Sequence, residues 1–302
     1  MIAYRRRLPV LGCSGRSQSR EAARRADPKA IPLLAGRYRL AGLVGRGATS
    51  SVWRARDELL DRDVAVKQFH KSHPHEVVEA RIVARVRHPN VVAVHDMVQH
   101  EGSCWLVMDH GGTTLATLIR GGRKLPPPVV AALGQQLLAA LQAVHAAGVV
   151  HCDVKPANLL INGDGHLVLI DFGIAAADGK PQPSRGNGYI IGSPTYMAPE
   201  LIRGETPQPP VDLWSLGVTL YAAVEGRPPF PQRDPVPTLA AVLRDPPSPT
   251  RRAGPLRPLL AQLLVKEPQE RPSHAAIHAL LTDPYPPSSM LACGSSTVHS
   301  AA

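Results

Sequence analysis

An α+β fold in two unequal lobes is predicted by three features of the sequence: a strand-rich first third, a mainly helical remainder, and a length of 302 residues, long for a single small core. Short β-like runs dominate from Tyr38 to Met108, at 38–44, 51–55, 63–69, 91–98 and 104–108, punctuated by Gly45, Gly47, Asp57 and Gly102. One helical segment, about 74–86, interrupts them. From Thr114 onward the apolar spacing is helical, most clearly at 129–147, 211–225, 255–265 and 274–281. The small lobe is thus expected at about 37–108 and the large lobe at about 112–282, together one domain over 35–282. A cleft between such lobes is where a ligand would sit.

Composition bounds the function class. With 44% hydrophobic and 19% charged residues the chain is too apolar for wholesale disorder, and its 31 prolines argue against a helical repeat array. The net charge of +10 is unevenly placed. Residues 1–32 hold eight Arg or Lys against Glu21 and Asp27, a surplus of +6, so only +4 remains for everything else. That distribution weakens a nucleic-acid reading of the whole chain. Residues 1–34 read as a basic disordered arm able to touch an anionic partner weakly, and 283–302, with its proline and serine runs, as a flexible tail. Cys13, Cys104, Cys152 and Cys293 form no CxxC pair, which fits reduced thiols in a cytoplasmic protein. The longest apolar stretch, 129–150, is broken by Gln135, Gln136, Gln142, His145 and Gly148. Its Leu133, Leu137, Leu141 and Val144 recur at the spacing of a buried helical face, so no transmembrane segment is expected.

Four motifs carry chemistry. Gly45-Arg46-Gly47-Ala48-Thr49-Ser50-Ser51-Val52 lies between two strand-like runs, where glycines let backbone approach a phosphate closely. A two-glycine hairpin turn is the plain alternative. Val64-Ala65-Val66-Lys67 ends an alternating strand in a lone lysine. His151-Cys152-Asp153-Val154-Lys155-Pro156-Ala157-Asn158 offers a proton acceptor, a cation and a metal-directed carbonyl on one loop. Eighteen residues past Asp153, the strand 167–170 runs into Asp171-Phe172-Gly173. Each motif alone is weak; their order and spacing together are specific.

In that order the chain resembles the eukaryotic-type (Hanks) serine/threonine protein kinases, in particular their bacterial, actinomycete-like branch, over about 37–281. The resemblance implies a bilobal protein-kinase-like fold, ATP with Mg²⁺ (or Mn²⁺) as cofactors, and protein substrates. It implies a phosphate-covering loop at Gly45 to Val52, with Ala65 among the ATP-binding residues. Lys67 would hold the α and β phosphates and be held in turn by Glu79, nine residues before His88-Pro89. Asp153 would orient the substrate hydroxyl, Lys155 would stabilise the transferred phosphate, and Asn158 and Asp171 would bind metal. Met108 resembles the gatekeeper, with the Asp109 carbonyl and Gly111 N–H facing adenine. Residues 192–200, including Ser193 and Thr195, resemble the peptide-substrate loop, 212–217 the buried central helix, and Arg271 the partner of Glu200. Relatives also self-associate and phosphorylate in trans, so a homodimer is an implied partner.

Three departures stand out. Ser50 replaces the loop's third glycine, and Ser193 replaces a threonine whose hydroxyl can bridge Asp153 and Lys155. Cys152 replaces the arginine that pairs with a phosphorylated activation-loop residue, and a neutral thiol cannot make that pair. Activity that does not depend strongly on such phosphorylation is therefore expected. A pseudokinase-like binding scaffold is the alternative function; retention of Lys67, Glu79, Asp153, Asn158 and Asp171 argues against it.

Overall fold

The computed structural model describes residues 33–47, 50–70, 81–172, 176–177 (backbone only) and 193–283. The small lobe is an antiparallel sheet of six strands: β1 (Leu33–Leu34), β2 (Tyr38–Arg46), β3 (Ser50–Asp57), β4 (Arg62–Phe69), β5 (Val94–His100) and β6 (Ser103–Asp109), in the order β1-β2-β3-β4-β6-β5. Because side chains alternate between faces, register decides what each face holds. Leu34, Tyr38, Ala55, Val64, Val66, Trp105 and Val107 pack into one small core. The interleaved positions Ala65, Lys67, Leu106 and Met108 are thereby turned to the other face, where Phe69, Cys104 and Leu106 form a second cluster.

The turn from β3 to β4 is closed by Asp57, whose buried carboxylate accepts two 2.7 Å hydrogen bonds from Arg37 and the N–H groups of Leu59 and Leu60. The Arg37 guanidinium beside it lowers its pKa to about 2. The sign follows: the stabilisation is complete above the ordinary carboxylate value of about 4 and is lost as pH falls from there towards about 2. Thermal unfolding across that window should show stability falling with acid, and Asp57→Asn should flatten the dependence; an unaltered slope would contradict this role.

The large lobe follows β7 (Thr113–Thr114) and contains α1 (Leu115–Leu118), α2 (Pro127–Ala146), β8 (Val149–Val150), β9 (Leu159–Ile161), β10 (Leu167–Leu169), β11 (Ala176–Ala177), α3 (Pro199–Ile202), α4 (Pro210–Glu225), α5 (Pro235–Arg244), α6 (Arg257–Leu263) and α7 (His274–Thr282). By length and composition α2 is apolar enough to cross a membrane, but Leu133, Leu137, Leu141 and Val144 are buried in the lobe's main core. Every residue of α4 after Pro210 is buried. An apolar surface all round suits a helix enclosed on all sides, and α2 and α6 pack against it. Gly217 permits the close approach of α6, since a Cβ there would lie 2.7 Å from the Leu263 Cβ. Gly217→Ala would gain about 1 kcal/mol of helix propensity. The overlap with a β-carbon rather than a flexible tip costs more, about 1–3 kcal/mol. A lowered melting temperature is the expected result, and a raised one would show that the helices separate at little cost.

The predicted elements differ from the observed ones in particular places. Of the helix expected at 74–86, residues 81–85 are helical, and 71–80 lie outside the described residues. Strand 91–98 begins only at Val94, because Val91 forms a bridge to Leu169 and Val92 N–H donates to the Leu169 carbonyl, tying the lobes together instead. The helix expected at 255–265 splits into a 3-10 turn, Gly254–Leu256, and α6. Helix α5 was not expected, since Pro235 and Pro237 mask it. Both fall in its first turn, where proline forfeits no intrahelical hydrogen bond.

Candidate active site

Sheet pairing assembles the upper wall. Gly45 pairs with Val52, Val52 with Lys67 and Lys67 with Leu106, so the glycine loop and the lysine share one row across β2, β3, β4 and β6. Ala65 pairs with Met108 two residues along, on the same face. At the loop's tip Gly47 N–H donates to the Ser50 carbonyl at 2.8 Å, so serine in place of the third glycine is compatible with a tight turn. Arg46 is exposed beside it, and Ala48 and Thr49 lie outside the described residues. After Met108 the chain leaves the sheet. Asp109 ends β6, with its N–H on the Ala93 carbonyl and its carboxylate 2.7 Å from His95 Nε2. Gly111 and Gly112 have φ of 153° and 77°. A Cβ on Gly112 would lie 2.8 Å from Asn162 Oδ1, so only glycine fits this crossing without displacement.

The lower wall is the loop between β8 and β9. Asp212, fully buried in the first turn of α4, accepts the backbone N–H groups of His151 and Cys152, each at 2.8 Å, and the Nε2–H of His145 at 2.7 Å. Burial by itself would push the Asp212 pKa up; the hydrogen bond from His145 and the field of both histidines outweigh it and hold it below the ordinary range. Its grip keeps Cys152 at φ 64°, a left-handed conformation that costs a non-glycine residue about 1–3 kcal/mol. The turn aims the next side chain. Asp153 Oδ2 receives Lys155 Nζ at 2.5 Å and Asn158 Nδ2 at 2.9 Å, and Asn158 Nδ2 also reaches the Asp153 carbonyl. His151 is buried as a structural side chain, its ring 4.6 Å from that of Phe172 and its Nε2 on the Ile170 carbonyl.

The β9–β10 hairpin brings the remaining oxygens together. Leu159 pairs with Leu169, and Ile170 N–H donates to the Asn158 carbonyl, which sets Asn158 beside the strand end that carries Asp171. Asp171, at φ 65°, accepts Lys67 Nζ at 2.9 Å across the cleft. Desolvation raises the pKa of its carboxyl, but the charge and hydrogen bond of Lys67 prevail and keep it below the ordinary value. Cys152, Asp153, Ser193, Tyr196 and Ser215 line a common crevice. Ser215 on α4 pins this segment by donating to the Tyr196 carbonyl at 2.8 Å, with Thr195 in the short 3-10 turn Pro194–Tyr196. The expected bridge from Ser193 to Asp153 and Lys155 is not made; Lys155 contacts Asp153 directly. Below, Arg271 meets Glu200 through both terminal guanidinium nitrogens, at 2.6 and 2.8 Å.

The structure therefore brings together Lys67, Asp153, Lys155, Asn158 and Asp171, with Gly45, Val52, Ala65 and Met108 on the sheet wall. Glu79, Gly173 and Gly192 lie outside the described residues. Sequence reasoning missed Asp212 and His145 as the anchors of the loop. The available signal was an ionisable residue in an otherwise apolar helix, which has to be paired where it is buried.

Comparison with known proteins agrees with this geometry. The protein kinase domain family matches residues 38–285. Serine/threonine-protein kinase PknL of Mycobacterium tuberculosis is 37% identical over 213 residues, covering 68% of this chain and 53% of PknL. Serine/threonine-protein kinase PknA of the same organism is 36% identical over 261 residues, covering 81% of this chain and 60% of PknA. Serine/threonine-protein kinase RUNKEL of Arabidopsis thaliana is 34% identical over 241 residues, covering 78% of this chain and 17% of RUNKEL. The chain thus spans at most about three fifths of these relatives' own lengths. With the fold, the catalytic-loop geometry and the matched span in agreement, the chain belongs to the protein kinase family.

Proposed function

We propose that this chain transfers the γ-phosphate of ATP to serine and threonine hydroxyls of proteins, itself included. The observation that carries the reading is the meeting of two charge sets in one cleft: Lys67 with Asp171, 2.9 Å apart, and Asp153 with Lys155 and Asn158, within 2.9 Å. Phosphoryl transfer demands positioning and charge neutralisation more than covalent chemistry. Lys67 would hold phosphate oxygens beneath the glycine loop. Asp153, which accepts from Lys155 and Asn158, would accept and orient a substrate hydroxyl. Lys155 would follow the charge that develops on the transferred group.

The donor set suits a hard divalent cation. Asp171 contributes a partly exposed carboxylate, and Asn158 donates through Nδ2, which leaves its Oδ1 as an acceptor. These two residues would hold Mg²⁺, which when bound neutralises phosphate charge. The Asp109 carbonyl and Gly111 N–H would meet adenine. A cytoplasmic location fits the proposed use of ATP.

Incubation of the full chain with labelled ATP, Mg²⁺ and a generic basic protein tests the reading; label should appear on serine and threonine. Label confined to tyrosine, or to a small molecule alone, would refute it. Cys152 adds a second expectation. Its Sγ faces the Val150 carbonyl at 3.6 Å, and its backbone N–H donates to Asp212. Phosphatase-treated enzyme should therefore keep its rate within about threefold, since no charge-assisted pair to the loop is lost; a larger loss would contradict this.

A further inference from the structure

The C-terminal end of α4 gathers three segments far apart in sequence. Gly226 closes the helix at φ 74°, and a Cβ there would lie 2.4 Å from the Gly122 carbonyl oxygen and 3.0 Å from Lys124 Cγ. Leu125 N–H donates to the Ala223 carbonyl at 2.8 Å. On the other side the N–H groups of Arg251 and Arg252 donate to Glu225 Oε1 at 2.8 and 2.7 Å. Around this end stand Arg120, Arg123, Lys124, Arg227, Arg251 and Arg252, all exposed. The one carboxylate in these segments is Glu225, which is buried and occupied by backbone N–H groups. Among the described residues none of the six cations makes an ion pair.

The magnitude of this clustering is informative. Residues 33–302 carry a net +4, whereas the six cations with Glu225 carry +5, so the rest of those residues is close to neutral. A helix C-terminus favours nearby cations, but the effect fades beyond the last turn and does not account for six on three segments. Five of the six are arginines, whose planar forks match carboxylate and phosphate. No aromatic platform for bases is offered, because Tyr221 is buried with its hydroxyl on the Ser248 carbonyl. The exposed large hydrophobics, Leu43, Val44, Leu59, Leu60, Val129 and Val236, all lie outside these segments, so a lipid-inserting wedge is missing there among the described residues.

We propose that this patch docks an acidic or phosphorylated segment of the kinase's protein substrates, an inference that rests on the function proposed above. Asp212 and Gly226 sit at opposite ends of α4, about 20 Å apart at 1.5 Å per residue. An extended chain covers that in about six residues. The acceptor serine or threonine therefore lies at least about six residues from the docked acidic segment.

The test is fluorescence anisotropy of a labelled oligo-glutamate peptide with the full chain. Replacing Arg123, Arg227, Arg251 and Arg252 together by Gln should weaken binding by about tenfold or more, as several lost ion contacts require. Replacing Arg5, Arg6, Arg7, Arg24 and Arg25 by Gln should change it less than about threefold, because these residues belong to none of the three segments that form the patch. Photo-cross-linking of the same peptide to the wild-type chain should label 120–125, 226–228 or 251–252, which localises the site without any variant. Equal binding by the four-arginine variant, loss confined to the arm variant, or cross-links elsewhere would overturn the proposal. So would a patch needed for phosphatidylserine vesicles but not for the peptide. Because binding is read directly, a chain that binds the peptide but transfers no phosphate defeats the proposed activity and not the site.

Discussion

Asp153→Asn is expected to lower the rate of phosphate transfer by about 10²–10⁴-fold, the range that a positioned proton acceptor contributes, or about 3–5 kcal/mol of barrier. Asparagine has nearly the same shape and can keep an oxygen towards Lys155 and Asn158, which contact Asp153 Oδ2 at 2.5 and 2.9 Å. The loop should therefore stay in place. What disappears is the negative charge that draws the hydroxyl proton. ATP affinity should change little, because Lys67 and Asp171 pair with each other and contact neither oxygen of Asp153. Steady-state rates at saturating ATP, with nucleotide binding measured alongside, separate these effects. A rate loss below about tenfold would remove Asp153 from the role assigned to it.

The second large effect concerns stability. Arg271 donates to both carboxylate oxygens of Glu200 and to the carbonyls of Val265, Lys266 and Pro210, with both charged groups buried. Arg271→Met strands the Glu200 charge in the interior, at a cost of about 3–5 kcal/mol. Against a typical total of about 5–15 kcal/mol this is a large share. For a domain of this size it corresponds to a melting temperature lower by about 6–20 °C. Adding Glu200→Gln should recover part of the loss, since the stranded charge is the main penalty. A decrease under about 1 kcal/mol in the single variant would mean that water reaches the pair. The pair fixes α3, which follows the Ser193–Met197 segment, so the same variant should also impair transfer more than ATP binding.

The sequence made the site legible wherever a residue's role follows from its own chemistry. Lys67, Asp153, Asn158 and Asp171 stand out through the order of their motifs and take their roles from the family that order resembles, and the sheet registers and the β9–β10 hairpin bring them together. Less legible were residues that act by holding backbone. Asp212 lies 59 positions from Asp153, and nothing local in sequence reveals that its two oxygens receive consecutive N–H groups of the catalytic loop. Periodicity located α2 and near-continuous apolarity located α4, because burial imposes each pattern, and both signals failed at α5, where Pro235 and Pro237 occupy a turn that tolerates them. The charge surplus shows the same contrast. Its amount was plain from composition, but its concentration at the end of α4 depends on contacts among three distant segments.

The most direct test of the central claim is to measure nucleotide binding and label transfer on one sample of the full chain with Mg²⁺. The account predicts saturable ATP binding together with label on serine or threonine of an added protein, slowed by at least about 10²-fold in Asp153→Asn with binding retained. A folded wild-type chain that binds ATP and transfers no phosphate to any protein would contradict it and leave a nucleotide-binding scaffold in its place.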